Sequence, residues 1–325
     1  MEFNLNLSNL SSEHQSVPLD TDMIYDVLIV GGGPAALTAA VYCMRKGVST
    51  GLITESFGGQ VAETSTVENY MGYRHIEGIE LVHKFTDQVK QFQIGFVEGV
   101  KAQSVADGTI KRVTLENGDV YQAKSLIITT GTSWRKLNVP GEKELVGRGV
   151  AYCAICDAPL YAGKEVVVVG GGNTGVESSI DLAKIAKRVT LLQNLDTLTA
   201  DEVLIKSITS FSNVDILYEH EVTEILGENA VEAITIRNRT TGEERKLEVQ
   251  GIFIEIGLVS NSDLVSDLLD LNRYGEIVVD CACRTNVPGI FAAGDATSVP
   301  YKQIIIAAGE GAKAALSACE YVLRN

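Results

Sequence analysis

One pattern occurs twice in this chain and fixes most of what it can fold into: a short aliphatic strand, a Gly-rich turn and a helix. Ile24–Val30 leads into Gly31-Gly32-Gly33-Pro34-Ala35-Ala36 and an Ala-rich helix to about Lys46. Glu165–Val169 leads into Gly170-Gly171-Gly172-Asn173-Thr174-Gly175 and a helix to about Ile185. Both read strand, G-x-G-x-x-G/A, helix, the context in which this motif marks a dinucleotide site. Each position has a physical task. The first Gly (Gly31, Gly170) permits a tight turn and the second (Gly33, Gly172) lets the backbone approach a pyrophosphate. The third position (Ala36, Gly175) must be small so that helix and strand pack closely. The helix N-terminus adds a positive field for phosphate. The pattern predicts an α/β fold with two Rossmann-like dinucleotide-binding domains, and 325 residues suit two domains better than one.

The residues after each fingerprint separate the two ligands. After the first, the strand Thr50–Thr54 ends in Glu55, an acid about 20 residues on, suited to ribose hydroxyls. After the second, the strand Val189–Leu192 ends in Gln193, followed by Asn194, Leu195 and Asp196; the next basic residue is Lys206. A 2′-phosphate there lacks a cation in sequence, which argues against NADPH and allows NADH. Two further strands end in Gly: Leu126-Ile127-Ile128-Thr129-Thr130 at Gly131, and Ile290-Phe291-Ala292-Ala293 at Gly294-Asp295, with a helix-like run from Gln303 to Leu323. These imply that the first fold is discontinuous and returns after the second is complete. The expected division is a flexible N-terminal arm at 1–23, a first nucleotide domain at 24–133 and 262–325, and a second at 134–261.

Composition excludes some partners. Lys+Arg 27 against Asp+Glu 42 gives a net charge of −15, which disfavours nucleic acid and anionic membranes. No apolar run approaches the ~20 residues of a spanning helix. The first 23 residues have neither a basic start nor an apolar stretch, so a cytoplasmic location is expected. Of six cysteines, Cys43 and Cys319 fall in helix-like runs, and Cys281 and Cys283 alternate as if on one face of a strand over Ile277–Arg284.

Cys153-Ala154-Ile155-Cys156-Asp157 is different because two residues separate its cysteines. A zinc site needs further ligands at suitable spacing, and the four His are scattered at 14, 75, 83 and 220, so no metal is expected. Haem attachment needs His where Asp157 stands. Two buried structural thiols remain open as a reading. A redox dithiol fits best, since C-x-x-C lowers one thiol's pKa and Asp157 can move the proton that disulfide exchange requires.

The order Gly31–Ala36, Cys153–Asp157, Gly170–Gly175, Gly294-Asp295 resembles the low-molecular-weight thioredoxin reductase family. Within it, the chain is most similar to the C-terminal flavoprotein region of alkyl hydroperoxide reductase flavoproteins. The segments Phe57–Val61, Glu68–Tyr70, Thr132–Arg135 and Val299–Ile306 carry that likeness, which covers roughly 24 to 325. It implies the architecture of flavoprotein disulfide reductases. It also implies that Gly31, Gly33, Ala36, Glu55, Gln60, Asn69, Gly131, Gly294, Asp295, Gln303 and Ile304 hold FAD. Gly170, Gly172, Gly175 and Gln193 would line the nicotinamide-nucleotide site, with Cys153 and Cys156 as redox pair and Asp157 as acid/base. The chain departs from the family's patterns at Ala158, where Gly often follows the acid. It departs again at Gln193-Asn194-Leu195, where NADPH-dependent members carry a His-Arg-Arg run and the peroxide-reductase flavoproteins an acid.

The resemblance implies electron flow from NADH through FAD and the dithiol to a thioredoxin- or glutaredoxin-like protein disulfide, with a peroxiredoxin as onward acceptor. With some 23 residues before the first strand, no thioredoxin-like domain is expected there, so the dithiol protein is expected to be separate. A homodimer and a rotation of the second domain near Thr132–Arg135 and Asn261 are implied as well. Two alternatives stay open: ferredoxin as donor with a vestigial nucleotide site, and a non-catalytic redox-sensing flavoprotein.

Overall fold

Val27, Leu28, Ile29 and Val30 are all buried in the strand Ile24–Val30, so both faces of that strand are covered. This is the mark of a parallel strand with layers on either side. The computed structural model describes residues 18–64 and 66–324. Of the expected N-terminal arm, residues 1–17 therefore lie outside the described ones.

The described chain divides into two compact units. The first takes the residues up to Val61, Glu80–Gly131 and those from Ser260 on; the second takes Ala62–Ile79 and Thr132–Val259. In the first unit Ile24–Val30 lies between Thr50–Thr54 and Val120–Ile128, parallel to both, and Gly95–Glu98 extends the sheet beyond Thr50–Thr54. The long strand Val120–Ile128 is shared along its other edge: Lys111–Leu115 pairs antiparallel with its start, and Ile290–Ala292 pairs parallel with its end. The fold is thus discontinuous, as its sequence implies.

Alternation sorts the core of this unit. Val27 and Ile29 face the helices Pro34–Arg45 and Ile304–Arg324, whereas Leu28 and Val30 pack with Val113, Leu115 and Tyr121. A period of two does this in any strand. The two helices meet closely because Gly311 has no side chain: a Cβ there would lie 2.1 Å from the carbonyl oxygen of Ala35. At the far end of the same seam the Sγ atoms of Cys43 and Cys319 are 3.9 Å apart. Where the chain leaves this unit and returns, Thr130 and Asn261 bind each other, Oγ1 of Thr130 to the carbonyl of Asn261 at 2.7 Å and Nδ2 of Asn261 to the carbonyl of Thr130 at 3.0 Å.

The second unit has a five-stranded parallel sheet ordered Val150–Ala151, Gly251–Ile254, Glu165–Val169, Arg188–Leu192, Val214–Leu217. Val167 and Val169 face an antiparallel meander, His220–Leu226, Ala233–Asn238 and Glu244–Glu248. Val166 and Val168 face the opposite way, toward Val176 and Leu182 of the helix Asn173–Ala183.

Cys281 and Cys283 do not share a strand face: Cys281 is exposed and Cys283 buried. The segment is a turn, because Oδ1 of Asp280 accepts the amides of Ala282 and Arg284 at 2.8 and 2.9 Å and bends the chain before it can extend. Cys283 stands there at φ 62°, a left-handed conformation that no strand residue adopts.

Candidate functional site

The first fingerprint is shaped by what its glycines lack. Gly31 has φ 130°, and a Cβ on it would lie 2.3 Å from the carbonyl oxygen of Thr129 on the adjoining strand. Gly33 is extended, with φ −79° and ψ −174°, and nothing lies within 4 Å of where its Cβ would stand. It opens onto free space directly before Pro34, the first residue of the helix. Ala36 is fully buried. The turn at Gly58 is tied to this loop, its amide donating to Gly32 O at 2.8 Å. Gly294 comes close from the returning strand, its missing Cβ 3.1 Å from that of Ala35. Next to it the Asp295 carboxyl is pushed up to about 6 by burial, against the pull of Lys302. Lys302 in turn pairs with Glu276 at 3.0 Å. Glu55, exposed, follows Thr54 at the strand end, and Gln303 precedes the helix that begins at Ile304.

Of the residues expected to hold FAD, Gly31, Gly33, Ala36, Glu55, Gln60, Gly131, Gly294, Asp295, Gln303 and Ile304 belong to the first unit. Asn69 does not: it falls in Ala62–Ile79, with the second. The open approach at Gly33, the helix starting there and a carboxyl able to accept from hydroxyls fit a dinucleotide such as FAD.

The second fingerprint repeats the geometry. Gly170 has φ 125°, with its missing Cβ 2.3 Å from Glu255 O; Gly172 is open, its nearest neighbour Thr199 Oγ1 at 3.8 Å. Gly175 packs so tightly that a Cβ would stand 1.8 Å from Gly170 O. Gln193, however, is buried and its amide is used by its own loop. Nε2 donates to Thr197 O at 2.9 Å, and Oε1 accepts the amide of Asn194 at 3.1 Å. A guanidinium arrives at the same loop from elsewhere. Arg239, just past the strand Ala233–Asn238, donates from Nη1 to Asn194 O at 2.9 Å, with Glu221 3.5 Å from its Nε. Sequence spacing carries no sign of this cation, because 45 residues separate Arg239 from Asn194.

The cysteine pair sits in the same unit as the second fingerprint. Cys153 is disulfide-bonded and caps a short helix, Ala154–Asp157; the side chain of Cys156 lies outside the described ones. The Asp157 amide donates to Cys153 O at 3.0 Å, which closes the turn over the C-x-x-C span. Asp157 is buried, and its charge helps burial push the Tyr161 hydroxyl up to about 12. Ahead of the pair, Tyr152 stacks on Trp134 at 5.1 Å and donates to Glu142 Oε1 at 2.8 Å. Glu142 also accepts the amides of Leu137 and Asn138, so the approach to Cys153 is fixed by packing and hydrogen bonds together.

Glu255 is a second residue that sequence reasoning missed. It follows the strand Gly251–Ile254, and its Oε1 accepts two hydrogen bonds: from the amide of Ala154 at 3.1 Å and from Ser178 Oγ at 3.0 Å. Burial pushes its carboxyl up to about 7 against those two donors. The signal in sequence is a lone charge within the apolar run Gly251-Ile252-Phe253-Ile254-Glu255-Ile256-Gly257. Among the described residues no cluster of three or more His, Cys, Asp or Glu could hold a metal ion, and no helix is long and apolar enough to cross a membrane.

The family model of pyridine nucleotide-disulphide oxidoreductases matches residues 25–311. The F subunit of alkyl hydroperoxide reductase in Staphylococcus aureus (strain MSSA476) is 47% identical over 98% of this chain, which spans 63% of that protein. A protein named NADH dehydrogenase in Ferdinandcohnia aciditolerans is 44% identical over 98% of this chain and is covered over 62% of its length. Among solved structures, thioredoxin reductase from Streptococcus pyogenes MGAS5005 superposes with a TM-score of 0.88 at 37% identity, covering 93% of this chain and 99% of that one. The chain thus spans less than two thirds of the length of these curated relatives and nearly all of the solved reductase.

Proposed function

The chain belongs to the pyridine nucleotide-disulphide oxidoreductase family, and from that premise we propose that it is a thioredoxin-reductase-like enzyme. It would carry electrons from a nicotinamide nucleotide to the disulfide of a small thioredoxin- or glutaredoxin-like protein, with a peroxiredoxin as onward acceptor. The observation that carries this reading is the disulfide-bonded Cys153 at the head of a short helix that ends in buried Asp157. Family membership implies FAD and a nicotinamide nucleotide. Bound FAD supplies the link between two-electron hydride chemistry and dithiol chemistry. The first fingerprint, with Glu55, Gly294 and Asp295, would bind and orient it.

The protein's own part is thiol exchange. Cys153, as thiolate, would attack one sulfur of the partner's disulfide; a new S–S bond forms and the partner's second sulfur leaves with the pair of electrons. Asp157 would hold the proton that this leaving thiolate takes. Cys156 would then attack Cys153, releasing the partner as a dithiol and restoring the Cys153–Cys156 disulfide. We assign the attack to Cys153 and the position nearer the flavin to Cys156. On the same premise the working unit is a homodimer, which a solution mass measurement tests.

The deciding experiment is anaerobic titration of the flavin with NADH, NADPH and reduced ferredoxin in parallel, with Cys153→Ser and Cys156→Ser beside the unchanged protein. We expect one FAD per chain and flavin reduction by a nucleotide in all three. Reduction of a protein disulfide should be lost in both variants. A long-wavelength charge-transfer band in Cys153→Ser but not Cys156→Ser would support the assignment of the two thiols, and the opposite pattern would overturn it. Reduction by ferredoxin alone would make the second nucleotide site vestigial.

A further inference from the structure

The thiol exchange described above leaves Glu255 unused, yet its carboxyl binds the amide of Ala154, the residue that follows Cys153. The donors to its Oε1 are uncharged: the Ala154 amide, one residue from Cys153, and the Ser178 hydroxyl on the helix Asn173–Ala183. Among the described side chains, the titratable groups at those two elements are Cys153, once reduced, and Asp157 on one side and Glu177 and Asp181 on the other. Glu177 and Asp181 are exposed, and Asp181 pairs with Lys184 at 2.8 Å. No cation is among the groups that shift Glu255, and burial is the largest of the causes that do.

Opening a disulfide puts a thiolate into these surroundings. Two like charges held close and poorly solvated disfavour each other, so one of them takes a proton. We propose that Glu255 is a positioning residue for the dithiol whose carboxylate takes up a proton when the Cys153 disulfide is reduced. The balance is complete with a dithiol or a reduced flavin as the two-electron donor. The S–S bond breaks and two electrons enter; one sulfur takes a proton as thiol and the other remains thiolate. A second proton, from solvent, goes to Glu255. The local charge is then −1 before and after, carried first by the carboxylate and afterwards by the thiolate. The inference rests on the reading of Cys153 and Cys156 as a redox pair.

The coupling has a pH signature that a mere tether of Ala154 would not have. Below neutrality Glu255 already holds its proton, so replacing it by Gln changes little. Above neutrality the wild-type carboxylate opposes thiolate formation and Gln does not. The test equilibrates the full-length protein with dithiothreitol buffers between about pH 5.5 and 8.5 and reads the reduced fraction by alkylation and mass. Glu255→Gln should match wild type at the acid end and favour the reduced state by about tenfold at the alkaline end, one pKa unit's worth of interaction. Ser178→Ala, which removes a donor to the charged form, should move the wild-type transition to higher pH. A ratio between Glu255→Gln and wild type that stays constant across the range would overturn the proposal and leave Glu255 a tether. A disulfide that does not equilibrate with the buffer at all would overturn the redox reading, and this inference with it.

Discussion

Gly31 and Gly33 stand two residues apart and answer to different forces. Gly31 is required by the fold, since its φ of 130° and the carbonyl of Thr129 leave no room for a side chain. Gly33 is open and extended, so an Ala there strains nothing in the chain itself. We expect Gly33→Ala to leave the unfolding midpoint of the FAD-free protein unchanged. It should weaken FAD by at least about tenfold, the loss of one charge-assisted contact. Gly31→Ala should lower the midpoint itself. Thermal unfolding and flavin fluorescence on the same preparations separate the two. The nucleotide choice is also decided residue by residue. No Arg or Lys lies between Gln193 and Ile205, but Arg239 reaches Asn194 O. We expect NADH to reduce the flavin with higher kcat/KM than NADPH, by a margin that Arg239 narrows. Arg239→Ala should therefore widen it, by about tenfold if one charge-assisted contact to the 2′-phosphate is removed. Stopped-flow reduction at equal nucleotide concentrations checks this, and an NADPH rate unaffected by Arg239→Ala would deny Arg239 any hold on the 2′-phosphate.

At the level of elements, the helices Pro34–Arg45 and Ile304–Arg324 are legible in sequence as separate periodic runs, but their contact is not. Gly309 and Gly311 look alike in sequence, and each costs a helix about 1 kcal/mol against Ala. In the structure Gly309 faces open space, while Gly311 lies against the backbone of Ala35. Gly309→Ala should thus stabilise the protein by roughly that propensity difference. Gly311→Ala should destabilise it by about 1–3 kcal/mol, the usual penalty of overpacking. Denaturant midpoints of the two variants test the contrast. The Cys281–Cys283 segment shows the converse failure of local reading. Its alternation imitates a strand, but the Asp280 side chain captures two backbone amides and wins by proximity.

For the molecule as a whole, buried carboxyls set how stability follows pH. Burial raises Glu255 from 4.5 to about 7 in the folded chain, so the folded state binds the proton more tightly than the unfolded one. Its contribution is intact below about pH 4.5 and is lost as pH rises through about 7. Asp295, raised from 3.8 to about 6, acts in the same sense over a lower range. We expect the FAD-free protein to lose stability between about pH 4.5 and 7, with Glu255 accounting for up to about 3 kcal/mol. Glu255→Gln should flatten that part of the profile in denaturant titrations. The two Rossmann-like folds, the return of the first through Gly294-Asp295, and the residues of both fingerprints and the C-x-x-C pair are all readable along the chain. Strand alternation, glycine geometry and close spacing are local properties, written wherever neighbours in sequence are neighbours in space. Folding alone put Arg239 at the Gln193 loop, made Gly311 the contact between two helices, and laid Glu255 against the residue after Cys153. Each joins segments far apart in the chain. Burial and the approach of an unlike or like charge depend on which surfaces the fold brings together, and no spacing along a sequence encodes that.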